Sequence, residues 1–206
     1  MSSAPRSDIA AVILAGGRSR RMGGGDKALL PLAGVSLLAR TIAALGPQAA
    51  PLLLNTGSEA VRRAAPGLPA VADALPGFAG PLAGILGALD WLRDHAPQCR
   101  WLVSVPVDAP LFPADLVARL AAAVAGGEAD LACAVSGGRR HPVFGLWPLA
   151  LAEDLRRAVI DEGQRAVGAW TARHRLALVE WPDRPLDPFH NLNTPEDLER
   201  LIAVLA

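Results

Sequence analysis

The sequence predicts an α/β fold of three layers, in which helices cover both faces of a mainly parallel β-sheet. Segments with the pattern of strands alternate with segments of helical periodicity along the 206 residues. Three strand segments, 9–14, 51–55 and 100–107, are nearly continuous apolar runs, as expected for strands buried on both faces. No internal repeat or linker divides the chain, so we expect a single domain over residues 1–206.

Seven short apolar segments favour strands. They are residues 9–14, 51–55, 69–73, 100–107, 130–135, 142–147 and 176–181. Four segments place apolar residues at helical spacing, and they are 35–45, 82–95, 113–125 and 194–205. The second of these follows Gly80-Pro81, where proline suits a first helical turn. The last can be capped by Asn193 or Thr194.

The composition excludes several classes of protein. The 20 basic residues balance the 20 acidic ones and tyrosine is absent, which argues against a nucleic-acid-binding surface. No stretch approaches the roughly 20 apolar residues of a membrane span, and the apolar run near the N-terminus is too short for a signal peptide. Cys99 and Cys133 fit no metal spacing, so we expect both to be reduced and buried. We therefore expect a soluble, cytoplasmic protein that binds neither nucleic acid nor membrane.

A glycine-rich, basic loop follows the first strand segment. Its glycines free the backbone to approach a ligand, and its N–H groups can cradle phosphate oxygens. Arg18, Arg20, Arg21 and Lys27 add four positive charges, which favours a polyphosphate ligand. The alternative is a flexible, solvated loop. Lys27 precedes Ala28, so the hydroxyl that a P-loop places after its lysine is missing. A dinucleotide-binding fingerprint would begin directly after the strand, whereas the matching residues Gly23, Gly25 and Ala28 lie further along the loop, so neither phosphate motif is indicated.

Polar side chains stand where the predicted strands end, which is where open α/β sheets bind ligands. Asn55 ends the second segment, Asp73 ends the third, and Asp108 lies at the end of the fourth, between two prolines. A carboxylate combined with phosphate oxygens is the usual way in which proteins bind Mg²⁺, so Asp108 is a candidate metal ligand. The alternative is that Asp108 is a turn residue, or caps the helix at 113–125. Asp73 has a similar alternative as part of a turn.

Motifs over nearly the whole chain resemble those of the molybdenum cofactor guanylyltransferase family. The resemblance implies a three-layer, Rossmann-like nucleotidyltransferase fold. The matching segments occur in the family's order and read LAGGRSRRMGGGDKALLPLAG, LLLN, AVAD, GPLAGI, VPVDAPLF, RRHPVFGLW and HNLNTPEDLERL. Three details resemble guanylyl rather than cytidylyl enzymes: Gly16, where the latter usually have alanine, Asn193, where they tend to have aspartate, and His141-Pro142 after a basic turn.

The resemblance assigns a role to each of these motifs. The residues that it assigns to GTP are Leu14, Ala15, Gly16, Gly17, Lys27, Asn55, Asp73 and Asp108. Lys27 and Arg18 would neutralise phosphate charge in catalysis, and Asp108 would hold Mg²⁺ as the cofactor. The residues that it places near the pterin substrate, or returns to the site from the end of the chain, are Gly80, Pro81, Arg140, His141, Asn191 and Asn193.

The activity implied by the resemblance is transfer of GMP from GTP to the terminal phosphate of molybdenum-molybdopterin, with release of pyrophosphate. We expect a monomer that makes transient contacts with other cofactor-biosynthesis proteins or acceptor molybdoenzymes. One alternative is a molybdopterin cytidylyltransferase or another small-molecule nucleotidyltransferase of the same fold. Another is a non-catalytic, nucleotide-binding chaperone for the cofactor. Lys27 and Asp108 argue against the chaperone, because simple binding would not need a metal carboxylate.

Overall fold

The arrangement of strands and helices comes from a computed structural model, which describes residues 6–16, 26–75 and 80–205. The strands in this part of the chain are β1 (Ile9–Leu14), β2 (Pro31–Leu32), β3 (Val35–Ser36), β4 (Leu52–Asn55), β5 (Ala70–Val71), β6 (Trp101–Pro106), β7 (Leu131–Ser136), β8 (Arg139–Pro148) and β9 (Leu176–Trp181). The α-helices are α1 (Leu37–Leu45), α2 (Glu59–Ala64), α3 (Pro81–His95), α4 (Leu116–Val124), α5 (Ala152–Ile160), α6 (Val167–Thr171) and α7 (Pro195–Leu205). Short 3-10 helices cover Lys27–Leu29 and Leu149–Leu151.

Seven of the described strands form one sheet in the order β5-β4-β1-β6-β8-β7-β9. Strand β1 pairs in parallel with β4 and β6, β4 with β5, and β7 with β9. Strand β8 is antiparallel to both of its neighbours, β6 and β7. The mainly parallel sheet that the sequence predicted is therefore confirmed, with β8 as its reversed strand.

Two glycines explain why β8 is reversed. Gly137 and Gly138 join β7 to β8 with φ angles of 52° and 73°, the left-handed conformation that a two-residue hairpin turn requires. The sequence predicted a basic turn at residues 139–140 and a strand from residue 142. That boundary was wrong, because the glycines alone make the turn and leave Arg139 and Arg140 inside β8.

Helices cover both faces of the sheet. The odd-numbered residues of β1 face one cluster of buried side chains and the even-numbered residues face a second cluster, with at most 8% of any of them exposed. Side chains of α1, α4 and α7 complete the first cluster, and those of α3, α5 and α6 complete the second. The three predicted layers are thus present.

Several short elements escaped the sequence analysis, among them α2, α5, α6 and the hairpin β2–β3. Residues 35–45 were expected to be helical throughout, but residues 35 and 36 form β3, and Ser36 Oγ caps α1 by accepting from Ala39 N at 3.2 Å. Ser58 Oγ caps α2 in the same way, from Val61 N at 3.3 Å. Helix α4 begins at Leu116 rather than at residue 113. Helices this short depend on caps and tertiary packing, so periodicity alone detects them poorly.

The two cysteines are free and buried, as the sequence predicted. Burial raises the pKa of the Cys133 thiol to about 11, so this side chain is a protonated, apolar core group at neutral pH. Among the residues that the structure describes, no helix combines the length and the hydropathy needed to cross a membrane.

Candidate functional site

The carboxyl ends of the parallel strands meet at one edge of the sheet, here called the carboxyl edge. Leu14 at the end of β1 pairs with Asn55 at the end of β4 and with Pro106 at the end of β6. Main-chain hydrogen bonds extend this pairing, since Ala15 N donates to Asn55 O at 2.9 Å and Val107 N donates to Leu14 O at 3.1 Å. The side chains that follow these strands therefore share one region of the surface.

Asn55 and Asp73 form a polar pair at the carboxyl edge. The Asn55 amide nitrogen donates to Val71 O at 3.2 Å and to Asp73 Oδ1 at 3.0 Å. Both partners are acceptors only, so together they fix the orientation of the amide. Asn55 is 4% exposed, and its Oδ1 lies on the side of Gly16 and Gly84.

Two glycines approach the Asn55 side chain at different distances. A Cβ atom at Gly84 would lie 2.5 Å from Asn55 Oδ1 and 3.0 Å from Leu14 Cδ2, so α3 needs glycine there to pack against the strand ends. A Cβ atom at Gly16 would lie 3.7 Å from the same oxygen, which is an ordinary van der Waals distance. The described part of the fold therefore accepts alanine at position 16, so none of the described side chains requires glycine there.

Lys27, Asp108 and Asn193 come together from three distant parts of the chain. Lys27 Nζ donates to Asp108 Oδ2 at 2.9 Å and to Asn193 Oδ1 at 3.0 Å. The Lys27 and Asp108 side chains are 16% and 23% exposed, so a ligand can reach the ion pair although most of it is shielded from water. Leu192 N donates to Asp108 O at 2.8 Å, which fastens the returning chain beside the end of β6.

The positively charged side chain in this cluster is of a type that occurs once in the chain. Lys27 is the one lysine of the chain, and the other 19 of its 20 basic residues are arginine. A lysine ammonium is a compact charge on a flexible stem, which can pass from one anionic partner to another. Asp108 itself lies in a turn, but its side chain binds Lys27 and α4 begins only at Leu116, so the alternative that Asp108 caps this helix was wrong.

The start of α7 holds Asn193 in place. Asp197 accepts from the main-chain nitrogens of Asn193 and Thr194 at 2.9 and 3.0 Å, and Thr194 Oγ1 accepts from Asp197 N at 3.2 Å. This is a reciprocal capping arrangement, and Thr194 is the cap that the sequence had left open between two residues. The hydrogen bond from the Asn193 main chain is the largest of several effects that lower the pKa of Asp197 to about 2.

The β7–β8 hairpin brings His141 to the same edge, because β7 runs parallel to β6. His141 is 8% exposed, and its Nε2 lies 2.7 Å from Ser136 Oγ. Burial lowers the pKa of His141, although the carboxylate of Asp187 at 3.8 Å acts in the opposite direction. The imidazole is therefore neutral at pH 7.

The remaining predicted site residues lie around the carboxyl edge or outside the described residues. Gly80, with a φ of 84°, precedes α3, and Pro81 is the first residue of that helix. Arg140 and Asn191 are exposed. Two predicted residues, Gly17 and Arg18, lie outside the residues that the structure describes, together with the other arginines of the loop.

The oxygen atoms at the cluster suit a hard divalent cation. The Asp108 carboxylate and the Asn193 amide oxygen, which both accept from Lys27, are donor types that Mg²⁺ prefers. Within the described ranges, no group of three His, Cys, Asp or Glu side chains is placed to hold a metal by protein ligands alone. A cation at Asp108 would thus draw further oxygens from a substrate, as Mg²⁺ does beside phosphates.

Known proteins share this sequence and this fold. The family of the MobA-like NTP transferase domain matches residues 11–176. A molybdenum cofactor guanylyltransferase of Bradyrhizobium sp. (strain ORS 278) is 52% identical over 99% of this chain and 98% of its own length. The chain belongs to the molybdenum cofactor guanylyltransferase family. A second member, from Rhodopseudomonas palustris (strain BisB5), is 53% identical over 91% of this chain and 90% of its own length.

Membership in the molybdenum cofactor guanylyltransferase family confirms the resemblance and makes the chain a nucleotidyltransferase. The solved structure of molybdopterin-guanine dinucleotide biosynthesis protein A from Archaeoglobus fulgidus covers 96% of this chain and 98% of its own, with a TM-score of 0.74 at 23% identity. It confirms the Rossmann-like nucleotidyltransferase fold. The relatives named above favour neither a cytidylyltransferase nor a non-catalytic chaperone.

The sequence analysis missed three residues that support the guanylyltransferase site: Ser136, Asp187 and Phe189. Asp187 Oδ1 accepts from Ser136 Oγ at 2.8 Å and from Phe189 N at 2.9 Å. Phe189 is 1% exposed, and its ring centroid lies 5.0 Å from that of His141 and 4.8 Å from that of Phe144. In the sequence, an aspartate two residues before an aromatic residue indicates a local turn at most. The contact that brings Asp187 to the site is with Ser136, which is 51 positions away, so no local pattern could reveal it.

Proposed function

We propose that the chain transfers GMP from GTP to the terminal phosphate of molybdenum-molybdopterin, forming the guanine dinucleotide form of the cofactor and releasing pyrophosphate. We also propose that residues 1–206 form one nucleotidyltransferase domain. The observation that carries the proposal is the position of two groups at one edge of the sheet: the Asn55–Asp73 pair and the Lys27–Asp108–Asn193 cluster. The first suits a base and ribose, and the second suits phosphates and a cation.

The guanine would lie against residues 14–17, whose main chain leaves the end of β1. Asn55 Oδ1 is an acceptor of fixed orientation, and guanine carries N–H donors on its pairing edge. Asp73 keeps a second carboxylate oxygen for the base or the ribose. A side chain at position 16 would narrow the space left for a purine, which is larger than cytosine.

The reaction brings two anions together. A phosphate oxygen of molybdopterin attacks the α-phosphorus of GTP, the bond from that phosphorus to the bridging oxygen breaks, and its electron pair leaves with pyrophosphate. The attacking oxygen is already ionised, so the reaction needs no general base. Positioning and neutralisation of charge therefore dominate catalysis. Lys27 and Arg18 supply the positive charge that stabilises the leaving pyrophosphate.

We propose Asp108 as the ligand of Mg²⁺, with Asn191 and Asn193 as nearby neutral oxygen donors. When bound, Mg²⁺ neutralises and aligns phosphate oxygens. Lys27 occupies one oxygen of Asp108 before substrate binds, and the GTP phosphates offer it a replacement anion. Asparagine carries no charge, so Asp108 provides the negative charge that the protein contributes at this point.

The pterin substrate would lie between the start of α3 and the β7–β8 hairpin. Gly80 and Pro81 stand at the first of these, and Arg140 and His141 at the second. The exposed Arg140 guanidinium suits the terminal phosphate of that substrate. The monomeric state, the cytoplasmic location and the transient contacts with molybdoenzymes that we expect from the sequence stay predictions.

Pyrophosphate release tests the proposed reaction. Each of the four NTPs is incubated with the protein and molybdopterin, with and without Mg²⁺, and reactions without molybdopterin serve as controls. We expect release with GTP that depends on both Mg²⁺ and molybdopterin. A preference for CTP would contradict the base assignment, and release without molybdopterin would contradict the proposed acceptor.

A further inference from the structure

A hydrogen-bond chain joins Asp187, Ser136 and His141 beside the β7–β8 hairpin. Ser136 Oγ lies 2.8 Å from Asp187 Oδ1 and 2.7 Å from His141 Nε2. Ser136 is 2% exposed and His141 is 8% exposed, so bulk water competes little with either contact. The reaction proposed above gives no role to Ser136 or Asp187.

Counting protons along this chain identifies the tautomer of His141. A serine hydroxyl has one proton to donate, and an ionised carboxylate only accepts. The Ser136 proton therefore lies toward Asp187, and His141 Nε2 must donate to the serine oxygen, because two lone pairs would repel at 2.7 Å. Neutral His141 thus carries its proton on Nε2, which leaves Nδ1 with a free lone pair.

The Asp187 carboxylate is held by a second donor. Phe189 N donates to the same Oδ1 atom at 2.9 Å. The Phe189 ring packs against His141 and lies almost wholly inside the core. One carboxylate therefore orients His141 and also holds the segment that leads to Asn191 and Asn193.

His141 Nδ1 has no hydrogen-bond partner among the described residues, and His141 is 8% exposed. Burial is the largest effect and lowers the pKa of His141, and Arg139 lowers it further. Asp187 and Glu180 act in the opposite direction without overcoming burial.

We propose that Asp187 and Ser136 are positioning residues that hold His141 as the Nε2–H tautomer, so that Nδ1 accepts a hydrogen bond from an N–H donor of the heterocyclic acceptor substrate. This inference rests on the proposed function, in which His141 faces that substrate. A neutral Nδ1 with a free lone pair favours a donor group, whereas a charged imidazolium would favour an anion. His141 would therefore bind the heterocycle of the acceptor substrate rather than its phosphate.

Nitrogen-15 NMR of the wild-type protein tests the tautomer directly. The chain has four histidines, and loss of one signal in a His141→Gln variant assigns the His141 resonances. At pH 7 we expect a protonated Nε2 and an unprotonated Nδ1. A protonated Nδ1, or a charged ring, would overturn the proposal whatever the activity of the enzyme.

Variants of Asp187 test its positioning role. Asp187→Ala frees the Ser136 proton to point at His141, so we expect the two tautomers to mix. KM for molybdopterin should rise at least about twofold, because an even mixture halves the population in which Nδ1 can accept. KM for GTP should change less, because Leu192 N and Asp197 still hold Asn193 beside Lys27. Asp187→Asn keeps an acceptor oxygen and should retain both the tautomer and KM. The control is Asp183→Ala. It removes an exposed carboxylate that follows β9 and lies beside Gly137, the first residue of the β7–β8 turn.

The outcomes separate this inference from the proposed function. A wild-type tautomer that persists in Asp187→Ala would contradict the positioning role. A tautomer that changes without any change in KM for molybdopterin would contradict the contact with substrate. Absence of GMP transfer by the wild-type protein would reject the proposed function, while the NMR result would still decide the tautomer.

Discussion

Lys27 Nζ lies 2.9 Å from Asp108 Oδ2, so the single lysine of the chain and its candidate metal ligand neutralise each other. Separating such a part-buried pair is costly unless each charge finds a new partner. A triphosphate offers an anion to Lys27, and a divalent cation offers a positive charge to Asp108. Nucleotide and cation should therefore bind together more readily than either binds alone.

Removal of the Lys27 ammonium should strengthen metal binding in the absence of nucleotide. We expect Lys27→Met to bind Mn²⁺ about tenfold more tightly than the wild type, because the ammonium no longer competes for Asp108. The signal of free Mn²⁺ in electron paramagnetic resonance measures this affinity. Arg40→Met, which removes a part-buried cation bound to Leu32 O, serves as control. Equal or weaker binding by Lys27→Met would contradict the competition.

Loss of the Asp108 carboxylate should abolish guanylyl transfer. We expect no measurable turnover from Asp108→Ala, because Lys27 loses its partner and the proposed cation loses its charged protein ligand. Steady-state pyrophosphate release measures the effect, and Asp94→Ala, at an exposed carboxylate on α3, is the control. Turnover within about tenfold of the wild type, roughly 1.4 kcal/mol, would show that the metal assignment is wrong.

The Asn193 side chain should contribute to activity without being essential. We expect Asn193→Ala to lower kcat/KM about tenfold, since one neutral hydrogen bond to Lys27 is lost. The main-chain hydrogen bond from residue 193 to Asp197 survives the change, so thermal stability should match the wild type. Complete loss of turnover in a stably folded variant would be inconsistent with this secondary role.

Gly16 and Gly84 should respond differently to the same substitution. Gly84→Ala drives a Cβ atom into the Asn55 amide and should lower the free energy of unfolding by about 1–3 kcal/mol. Gly16→Ala should change it by less than about 0.5 kcal/mol, yet lower kcat/KM for GTP relative to CTP. Urea unfolding and paired kinetics measure both effects, with Gly168→Ala in α6, where a Cβ meets open space, as control. A Gly16→Ala variant with unchanged base preference would remove position 16 from the purine site.

The cap of α7 should give stability a defined dependence on pH. The pKa of Asp197 is about 2 in the folded protein against an ordinary 3.8, so its contribution is complete above the ordinary value and is lost as the pH falls toward 2. We expect Asp197→Ala to lower the free energy of unfolding by about 1 kcal/mol at pH 7, as for loss of a helix cap. The difference from the wild type should shrink between about pH 4 and pH 2. Urea unfolding at several pH values measures this difference, with Glu199→Ala as control. A difference in the free energy of unfolding that stayed constant from pH 7 to pH 2 would contradict the role of Asp197.

Local patterns were sufficient for the long, buried elements. Strand β1 has the bounds that its apolar run predicted, and α3 begins one residue before the predicted start. Both elements bury enough apolar surface for hydrophobic pattern alone to specify them. The direction of β8 was not predicted, because it depends on left-handed conformations at Gly137 and Gly138 that glycine permits without requiring.

The site residues also divide into those that local sequence predicted and those that only the fold brings together. Residues directly after strands, such as Asn55 and Asp108, were singled out because parallel strands bring their carboxyl ends to one edge. The contacts of Lys27 with Asp108 and Asn193 join residues 81 and 166 positions apart, and no local pattern contains such a distance. Asp187 escaped for the same reason, because only Ser136 and the folded hairpin make it part of the site.

The sequence by itself determined the layers of the fold, the chemical types of the site residues and the family, since these follow from periodicity and from contiguous motifs. Tertiary structure alone decided which charges neutralise each other, which amide orientation Asn55 adopts and which nitrogen of His141 carries the proton. Each of these depends on donor and acceptor atoms placed within about 3 Å of one another, as hydrogen bonds require. Packing of distant segments sets such distances, and at this site it sets them through Leu192, Phe189 and the cap of α7.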